Sequence, residues 1–495
     1  MRITLKGNIK RTYVQTLCMM FFHGEKFPEK ETQGEENHLF VEATENEKGI
    51  ECKAVLTYNG VTAFGEGFAD FTEYESYDRT SKTAVGQAVY RAGVALTERE
   101  IPWGILTGIR PSIIATELLL RYGYSEAKCI LTDRYLLSSE KAELALIVGK
   151  NESDIISRYN ENDCSLYISI PFCPSRCSYC SFISYATKKL FSILPAYLDK
   201  LISELRWTLK LIKESNKRLA TVYIGGGTPT VLSPEQLDSI LSVLSEGCDL
   251  SQLDEFTVEC GRPDTITKEK LSVLKRYNVT RVSVNPQTLN DEVLEKIGRK
   301  HTVNDFFDAY NQVKATSSWQ INTDLIVGLE GDSKDSFKST IDKIIALSPC
   351  NVTLHALCIK KSAQILADKA SVYQNKSDYA TEGALYAYKR LTECGYIPYY
   401  MYRQKNTVSD LENVGYAKKD TFGIYNVLMM SDKHTIFSCG AGATTKILTK
   451  NGDKTEINRI FSPKYPYEYL EDEQDKETLI YEYMKGGTLN EKNRC

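Results

Sequence analysis

The chain has 495 residues, room for roughly three domains of about 150 residues each, with an ordinary globular balance of 42 % apolar and 25 % charged residues. Thirty glycines and fourteen prolines exclude a collagen-like or linker-dominated architecture, and 61 Lys plus Arg against 65 Asp plus Glu give a net charge of −4. That charge carries no electrostatic footprint for nucleic acid or an anionic membrane, and no apolar run approaches the roughly 18 residues of a membrane span.

The opening Met1-Arg2-Ile3-Thr4-Leu5-Lys6 lacks the apolar stretch and small-residue cleavage site of a signal peptide, so the chain is expected in the cytoplasm. Met1–Leu5, Lys53–Tyr58 and Val61–Phe68 are β-prone, and Asn59-Gly60 predicts a hairpin turn between the last two. From Thr80 to about Arg158 the pattern is helical, with Ala84, Ala88, Val89 and Ala92 on one stripe. The segment Pro102–Pro111 is rich in turn residues and shows no chemistry of its own. The polar stretch Asn151–Asp163 offers a boundary.

Beyond it, buried-type strands alternate with helices: Leu166–Ile170, Thr221–Ile224, Phe256–Glu259, Arg281–Val284, Gln320–Val327 and Val352–Leu357. Leu198, Leu201, Ile202, Leu205, Leu209 and Ile212 form a helical stripe, Ser233 and Gln236 have capping-box spacing, and Asn290 is placed to cap a helix. Such alternation predicts a parallel α/β sheet, either a whole or partial barrel or a doubly wound sheet. In both, ligand sites gather at the carboxyl ends of strands. A cysteine cluster follows the first strand and Gly225-Gly226-Gly227-Thr228-Pro229-Thr230 follows the second. Glu259 ends the third, Gln287 follows the fourth and Asp324 lies near the end of the fifth. From about Ser362 helical segments and a Tyr-rich tail are expected.

Eleven of the fourteen cysteines are scattered and read as reduced core thiols. Cys173, Cys177 and Cys180 fall within eight residues as Cys-x3-Cys-x2-Cys. Structural zinc takes four ligands, usually as two separated pairs. A cubane iron–sulfur cluster suits three thiolates better, one per iron, with the fourth iron open to a ligand that is not protein. This spacing is the signature of radical S-adenosylmethionine (SAM) enzymes; zinc and incidental thiols are the competing readings. Three successive glycines make either a tight βα turn or a seat where backbone N–H groups meet a ligand. Beside a cluster loop they suit the methionine part of SAM.

Leu166-Tyr167-Ile168-Ser169-Ile170-Pro171-Phe172-Cys173 through Phe182, the Gly-Gly-Gly-Thr-Pro-Thr loop, Val284-Asn285-Pro286-Gln287-Thr288-Leu289, Ile297-Gly298-Arg299-Lys300-His301 and Asn322–Leu329 together resemble the oxygen-independent coproporphyrinogen III oxidase family. Glu259–Asp264, Tyr402–Asn406 and Leu411–Tyr416 are similar to its HemZ-type subgroup. The resemblance covers about residues 164 to 447, with Pro102–Pro111 added in the subgroup. It implies a radical SAM partial β/α barrel holding a [4Fe–4S] cluster on Cys173, Cys177 and Cys180, with one or two molecules of SAM. Tyr167, Gly226 and Glu259 match residues that hold the first SAM; Tyr179, Gly227, Thr228, Gln287, Arg299, Asp324 and Ala356 match residues around the second.

The implied reaction uses a 5′-deoxyadenosyl radical to take hydrogen from a propionate β-carbon, and loss of carbon dioxide leaves a vinyl group, converting coproporphyrinogen III to protoporphyrinogen IX. A low-potential donor such as flavodoxin or ferredoxin is implied as partner. Several family members carry His where Ser169 stands and an extra Cys where Phe182 stands. A haem-chaperone branch carries a His-Asn-x-x-Tyr-Trp element where this chain has Glu412-Asn413-Val414-Gly415-Tyr416-Ala417. Radical chemistry on another tetrapyrrole and haem carriage are therefore the alternatives. A substrate with four propionates calls for cations, and Arg262 and Arg403 are the candidates, each otherwise a structural charge. The expected plan is an N-terminal α+β domain over 1–160, a barrel over 161–360 and a helical C-terminal extension over 361–495.

Overall fold

The computed structural model describes residues 1–22, 24–28, 37–180, 188–358, 377–404, 407–451 and 454–485. They form two compact units, Met1–Lys150 and Asn151–Cys495. The helix Ser139–Ile156 runs across the division.

In the first unit β1 (Arg2–Lys6) lies parallel to β2 (His38–Glu45), and β3 (Gly49–Tyr58) and β4 (Val61–Asp70) follow antiparallel in the order β1-β2-β3-β4. Tyr58 pairs with Val61 across Asn59 and Gly60, both at positive φ, the two-residue turn that the Asn-Gly pair selects. Along β4 the small residues Ala63, Gly65, Gly67 and Ala69 face inward. The helix Tyr77–Thr97 comes so close that a Cβ at Gly65 would stand 2.1 Å from the Ala88 carbonyl oxygen. Ser76 caps that helix by accepting from the Arg79 N–H. The turn-rich Pro102–Pro111 segment buries Trp103, Ile105 and Leu106, and Tyr13 donates to the Ile105 carbonyl at 3.0 Å. Its role within this unit is packing.

The second unit is built on β5 (Asp163–Ile170), β6 (Arg218–Gly226), β7 (Glu255–Glu259), β8 (Arg281–Ser283), β9 (Gln320–Val327) and β10 (Asn351–Ala356), each parallel to the next. Successive strands add on one side without reversal, which is barrel winding and not a doubly wound sheet. Ser233 and Gln236 form the full capping box, and Asn290 accepts from the Glu292 and Val293 N–H groups. Helices Ser377–Glu393, Ile424–Met430, Pro466–Glu471 and Lys476–Met484 follow the barrel. The same region also supplies β11 (Ile397–Arg403), β12 (Glu412–Ala417), β13 (Thr435–Cys439), β14 (Thr444–Asn451) and β15 (Lys454–Phe461), strands the Tyr-rich composition did not reveal. β12 and β11 extend the sheet antiparallel beyond β10; β13 lies parallel to β5, and β14 and β15 continue antiparallel from it.

Alternation sorts the barrel strands into two faces. Leu166, Ile168, Val222, Ile224, Phe256, Val258, Val282 and Val352 occupy one face and are buried. The other carries Tyr167, Tyr223, Thr257, Glu259, Arg281, Ser283, Asn322 and Asp324, aligned across the sheet by register. A polar face in a buried sheet needs internal partners. Arg281 provides them near the strands' amino ends: 2 % exposed, it pairs with Glu255 at 3.0 Å and donates to Asn322 Oδ1 at 2.7 Å. It also donates to Gln320 and to the carbonyls of Thr421 and Phe422. Glu255 in turn accepts from the N–H groups of Ile424 and Tyr425, fixing the start of the helix Ile424–Met430. Arg281→Ala, which strands Glu255 as a buried charge, is expected to cost about 3–5 kcal/mol, measured as a lower urea midpoint of far-UV circular dichroism than in the wild type.

Candidate active site

The cysteine loop leaves the end of β5 through Pro171 and Phe172. Backbone bonds tie it to the glycine loop, from Gly227 N–H to the Ile170 carbonyl and from Thr228 N–H to the Phe172 carbonyl, both at 2.8 Å. Cys173 Sγ lies 3.4 Å from Thr228 Oγ1. On its other side, Ser178 N–H donates to the Ile297 carbonyl at 3.0 Å and Ser175 Oγ to the Gly298 carbonyl at 3.2 Å. Cys173 and Cys177 are buried and Cys180 is half-buried. Among the described residues no three His, Cys, Asp or Glu side chains are grouped to hold a single metal ion; a cubane asks instead for one thiolate per iron. The buried thiols of Cys18, Cys52, Cys164 and Cys260 are each pushed up to about 12 by desolvation, which leaves them protonated and inert. Phe182 lies outside the described residues.

Only glycine fits the cradle. A Cβ at Gly225 would stand 2.7 Å from the Tyr223 ring and 3.0 Å from the Glu259 carboxyl, and one at Gly227 would stand 2.5 Å from the Phe172 carbonyl oxygen. Gly226 has φ +115°, a conformation closed to side chains. Next to it Glu259 accepts from Tyr223 Oη at 2.6 Å. Burial raises the Glu259 carboxyl to about 7, aided by the Asp324 charge and opposed by Tyr223 and the Gly226 N–H. The Tyr167 ring stacks on Tyr223 at 6.1 Å and on Tyr425 at 6.2 Å, and Tyr223 stacks on Tyr425 at 4.5 Å. Tyr223 and Tyr425 lie outside the set that the sequence motifs mark. Tyr223 was discoverable, two residues before Gly225 and hence on its face of β6; Tyr425 is brought in by a distant helix.

A second group forms at the ends of β8–β10. Asn285 Nδ2 donates to Asp324 Oδ2 at 2.9 Å, and its Oδ1 accepts the Asp324 N–H at 3.1 Å. Arg299 Nη1 donates to the Asn285 carbonyl at 2.6 Å and faces Tyr179 and Cys177. This gives Arg299 the anchoring that its place in the sequence did not show. Gln287 stands at φ +69°, held by bonds to the Asp324 carbonyl and from the Ile326 N–H. The Oε1 of Gln287 and the Nε of Arg299 are buried without a partner among the described residues, and so are open to a bound molecule. Ala356 ends β10, its N–H donating to Asn413 Oδ1 at 3.1 Å.

The two cations expected for substrate are both engaged within the chain. Arg262 is 3 % exposed and forked on Asp264 at 3.0 Å. Arg403 is buried opposite Glu412 in the β11–β12 register, with the Glu412 and Asp410 charges beside it.

The Radical SAM superfamily model matches residues 167–344. The oxygen-independent coproporphyrinogen-III oxidase-like protein HemZ of Bacillus subtilis is 35 % identical over 408 residues, 81 % of this chain and 80 % of that protein. The chain belongs to the HemN/HemZ-type radical SAM family. Heme chaperone HemW of Lactococcus lactis is 37 % identical over 198 residues, 40 % of this chain and 49 % of that protein. Coproporphyrinogen III oxidase HemN of Escherichia coli superposes with a TM-score of 0.51 at 20 % identity, covering 67 % of this chain and 71 % of that one, a likeness of fold. Family membership brings a [4Fe–4S] cluster and SAM, and the residues present fit both. The loop offers three cysteines, the glycine run packed against it presents main chain bare of side chains, and Gln287 Oε1 and Arg299 Nε are buried without a partner among the described residues. Cys173, Cys177 and Cys180 would hold the cluster, and Tyr167, Gly226 and Glu259 one SAM.

Cys173→Ala, Cys177→Ala and Cys180→Ala are each expected to abolish the iron–sulfur absorbance of the reconstituted protein, whereas Cys260→Ala and Cys439→Ala retain it. For SAM, Glu259→Ala removes a charge-assisted acceptor worth about 1.5–3 kcal/mol. Equilibrium dialysis should show about ten- to a hundredfold weaker binding at unchanged iron content. Because the ionised carboxylate is the stronger acceptor, wild-type affinity should fall as pH drops through about 7. Tyr223→Phe removes a bond that favours the ionised form, so the same fall should move to higher pH.

Proposed function

We propose that this protein is a cytoplasmic radical SAM enzyme that oxidatively decarboxylates the propionates of coproporphyrinogen III to the vinyl groups of protoporphyrinogen IX. The observation that carries the reading is the pairing of two site halves on one rim. One half comprises the cysteine loop, the glycine cradle and Glu259; the other comprises Gln287, Arg299 and Asp324, where Gln287 Oε1 and Arg299 Nε are buried without a partner among the described residues. Likeness to HemZ over four-fifths of both chains supports the tetrapyrrole class. Bound together, cluster and SAM would supply hydrogen abstraction from a propionate β-carbon, after which carbon dioxide leaves and the one electron left over passes to a one-electron acceptor such as the oxidised donor protein. The chain's part is to seat SAM on the glycine backbone, to hold Glu259 at the edge of ionisation, and to screen the site with the rings of Tyr167, Tyr223 and Tyr425. Gly227, Thr228, Gln287, Arg299, Asp324 and Ala356, with Tyr179, are proposed around a second SAM.

Haem carriage is the second reading, favoured by similarity to proteins named heme chaperone HemW. Against it stands the segment Glu412–Ala417. All six residues are buried in β12, with Glu412 opposite Arg403 in the strand register and Asn413 accepting from the Ala356 N–H. It offers no imidazole.

The deciding experiment incubates the reconstituted protein anaerobically with SAM, a low-potential reduced flavodoxin or ferredoxin, and coproporphyrinogen III. The expected products are carbon dioxide, a vinyl tetrapyrrole and one 5′-deoxyadenosine per vinyl group formed. A methylated tetrapyrrole would redirect the assignment to other radical chemistry on this substrate class. Stoichiometric haem retention without 5′-deoxyadenosine would establish the carrier reading.

A further inference from the structure

Arg262 has a geometry its expected role does not need. It lies three residues beyond Glu259, at the entry to the turn Pro263–Thr265. Nε and Nη2 grip Asp264 Oδ1 and Oδ2, both at 3.0 Å, a fork-to-fork pair that fixes the guanidinium plane. The remaining Nη1 points into the cysteine loop, 3.1 Å from Ser175 Oγ and 3.9 Å from Cys177 Sγ. The mount is rigid on its other side too. The Arg262 carbonyl accepts from Thr265 N–H at 3.0 Å and Oγ1 at 2.8 Å, and Thr265 Oγ1 lies 2.7 Å from Thr230 Oγ1 beyond the glycine cradle. The pair is oriented as well as fixed: the guanidinium side chain is 4 % exposed and its carboxylate partner 26 %. The positive end thus lies toward Cys177 and the negative end toward solvent.

We propose that Arg262 is a positioning residue of the cluster site, donating from Nη1 to the Cys177 thiolate and making the cluster easier to reduce, and not a cation for substrate. The physical reason is charge. Reduction adds one electron, from the external donor, to a cluster whose sulfurs already carry negative charge, and a desolvated N–H donor aimed at one of those sulfurs stabilises the reduced form. The inference rests on the cluster being held by this cysteine loop and is independent of which tetrapyrrole is used.

The test is an EPR-monitored redox titration of the reconstituted full-length protein, with iron and sulfide assayed alongside. Arg262→Gln should keep the wild-type iron content while lowering the reduced-to-oxidised ratio at a fixed potential about tenfold, a midpoint about 59 mV more negative for a one-electron couple. Arg262→Lys, which keeps the charge and loses the fork, should fall between, at about threefold. The proposal is overturned if Arg262→Gln titrates at the wild-type midpoint, or if Arg262→Lys does so where the glutamine variant fails to fold. A rise in KM for the tetrapyrrole at unchanged midpoint would overturn it equally, restoring the substrate role. Failure of the cluster reading itself would look different: the wild-type chain would show no iron–sulfur signal to titrate.

Discussion

The backbone of Gly225–Gly227 lies directly against Ile170–Phe172, close enough that a single added carbon at Gly227 would meet the Phe172 carbonyl oxygen at 2.5 Å. This approach lets Gly227 and Thr228 donate to the carbonyls of Ile170 and Phe172 and brings Thr228 Oγ1 to Cys173 Sγ. The cysteine loop and the glycine cradle therefore behave as one piece of backbone. Their shared mount is the parallel pairing of β5 with β6, in which Ile170 is opposite Gly226. The glycines serve here because two main chains must touch, and a ligand seat follows from the same lack of side chains.

Two distant locks support that contact. At the amino ends of the strands, Arg281 and Glu255 satisfy each other and pin the helix that carries Tyr425 over Tyr223. Under the cysteine loop, the Tyr197 ring meets Phe172 edge-on at 5.2 Å, while its hydroxyl donates to the Ser169 carbonyl and accepts from Ala441 N–H. Glu204 gathers the C-terminal helices to the same place, accepting from Tyr469 Oη at 2.5 Å, Gly440 N–H at 2.8 Å and Lys476 Nζ at 3.3 Å. Residues 200 to 300 positions away along the chain thus hold the loop that follows β5. Ser169, which stands where several family members carry His, spends its hydroxyl on the Ala441 carbonyl at 2.8 Å and belongs to this scaffold.

Charge is distributed with the same economy. Arg262 and Arg299 approach Cys177 from two elements, one held by Asp264 and the other by the Asn285 carbonyl. His301 feels the charge of both cations, and burial together with that charge lowers it to about 4, so it stays neutral and adds no third positive group. On the opposite side of the cradle, burial and the neighbouring Asp324 charge raise the Glu259 carboxyl to about 7, leaving a group whose state changes near neutral pH. A three-cysteine loop flanked by cations and a sensitive carboxyl at the facing rim suit a site that handles a sulfonium ligand beside a reducible cluster.

What could be read from the sequence was whatever depends on local order. The six barrel strands, the Asn59-Gly60 turn, the Ser233 capping box and the Asn290 cap follow from periodicity and turn chemistry acting over a few residues. The three cysteines and three glycines were legible because their spacing is itself the chemistry. Strands β11–β15 were not: short, aromatic or threonine-rich segments acquire strand structure only by pairing with β10, β5 and one another. Nor were the engagements of single side chains. Arg262, three residues beyond Glu259, and Arg403, in the Tyr-rich stretch after the barrel, are equal candidates in the sequence, yet the turn at Pro263 aims one at Cys177 Sγ and strand pairing sets the other opposite Glu412. Sequence spacing determined which chemical groups reach the rim of the sheet, because strand direction carries every loop there. Only the tertiary structure decided which of them face a ligand and which face each other, because that depends on residues hundreds of positions apart competing for the same buried hydrogen bonds.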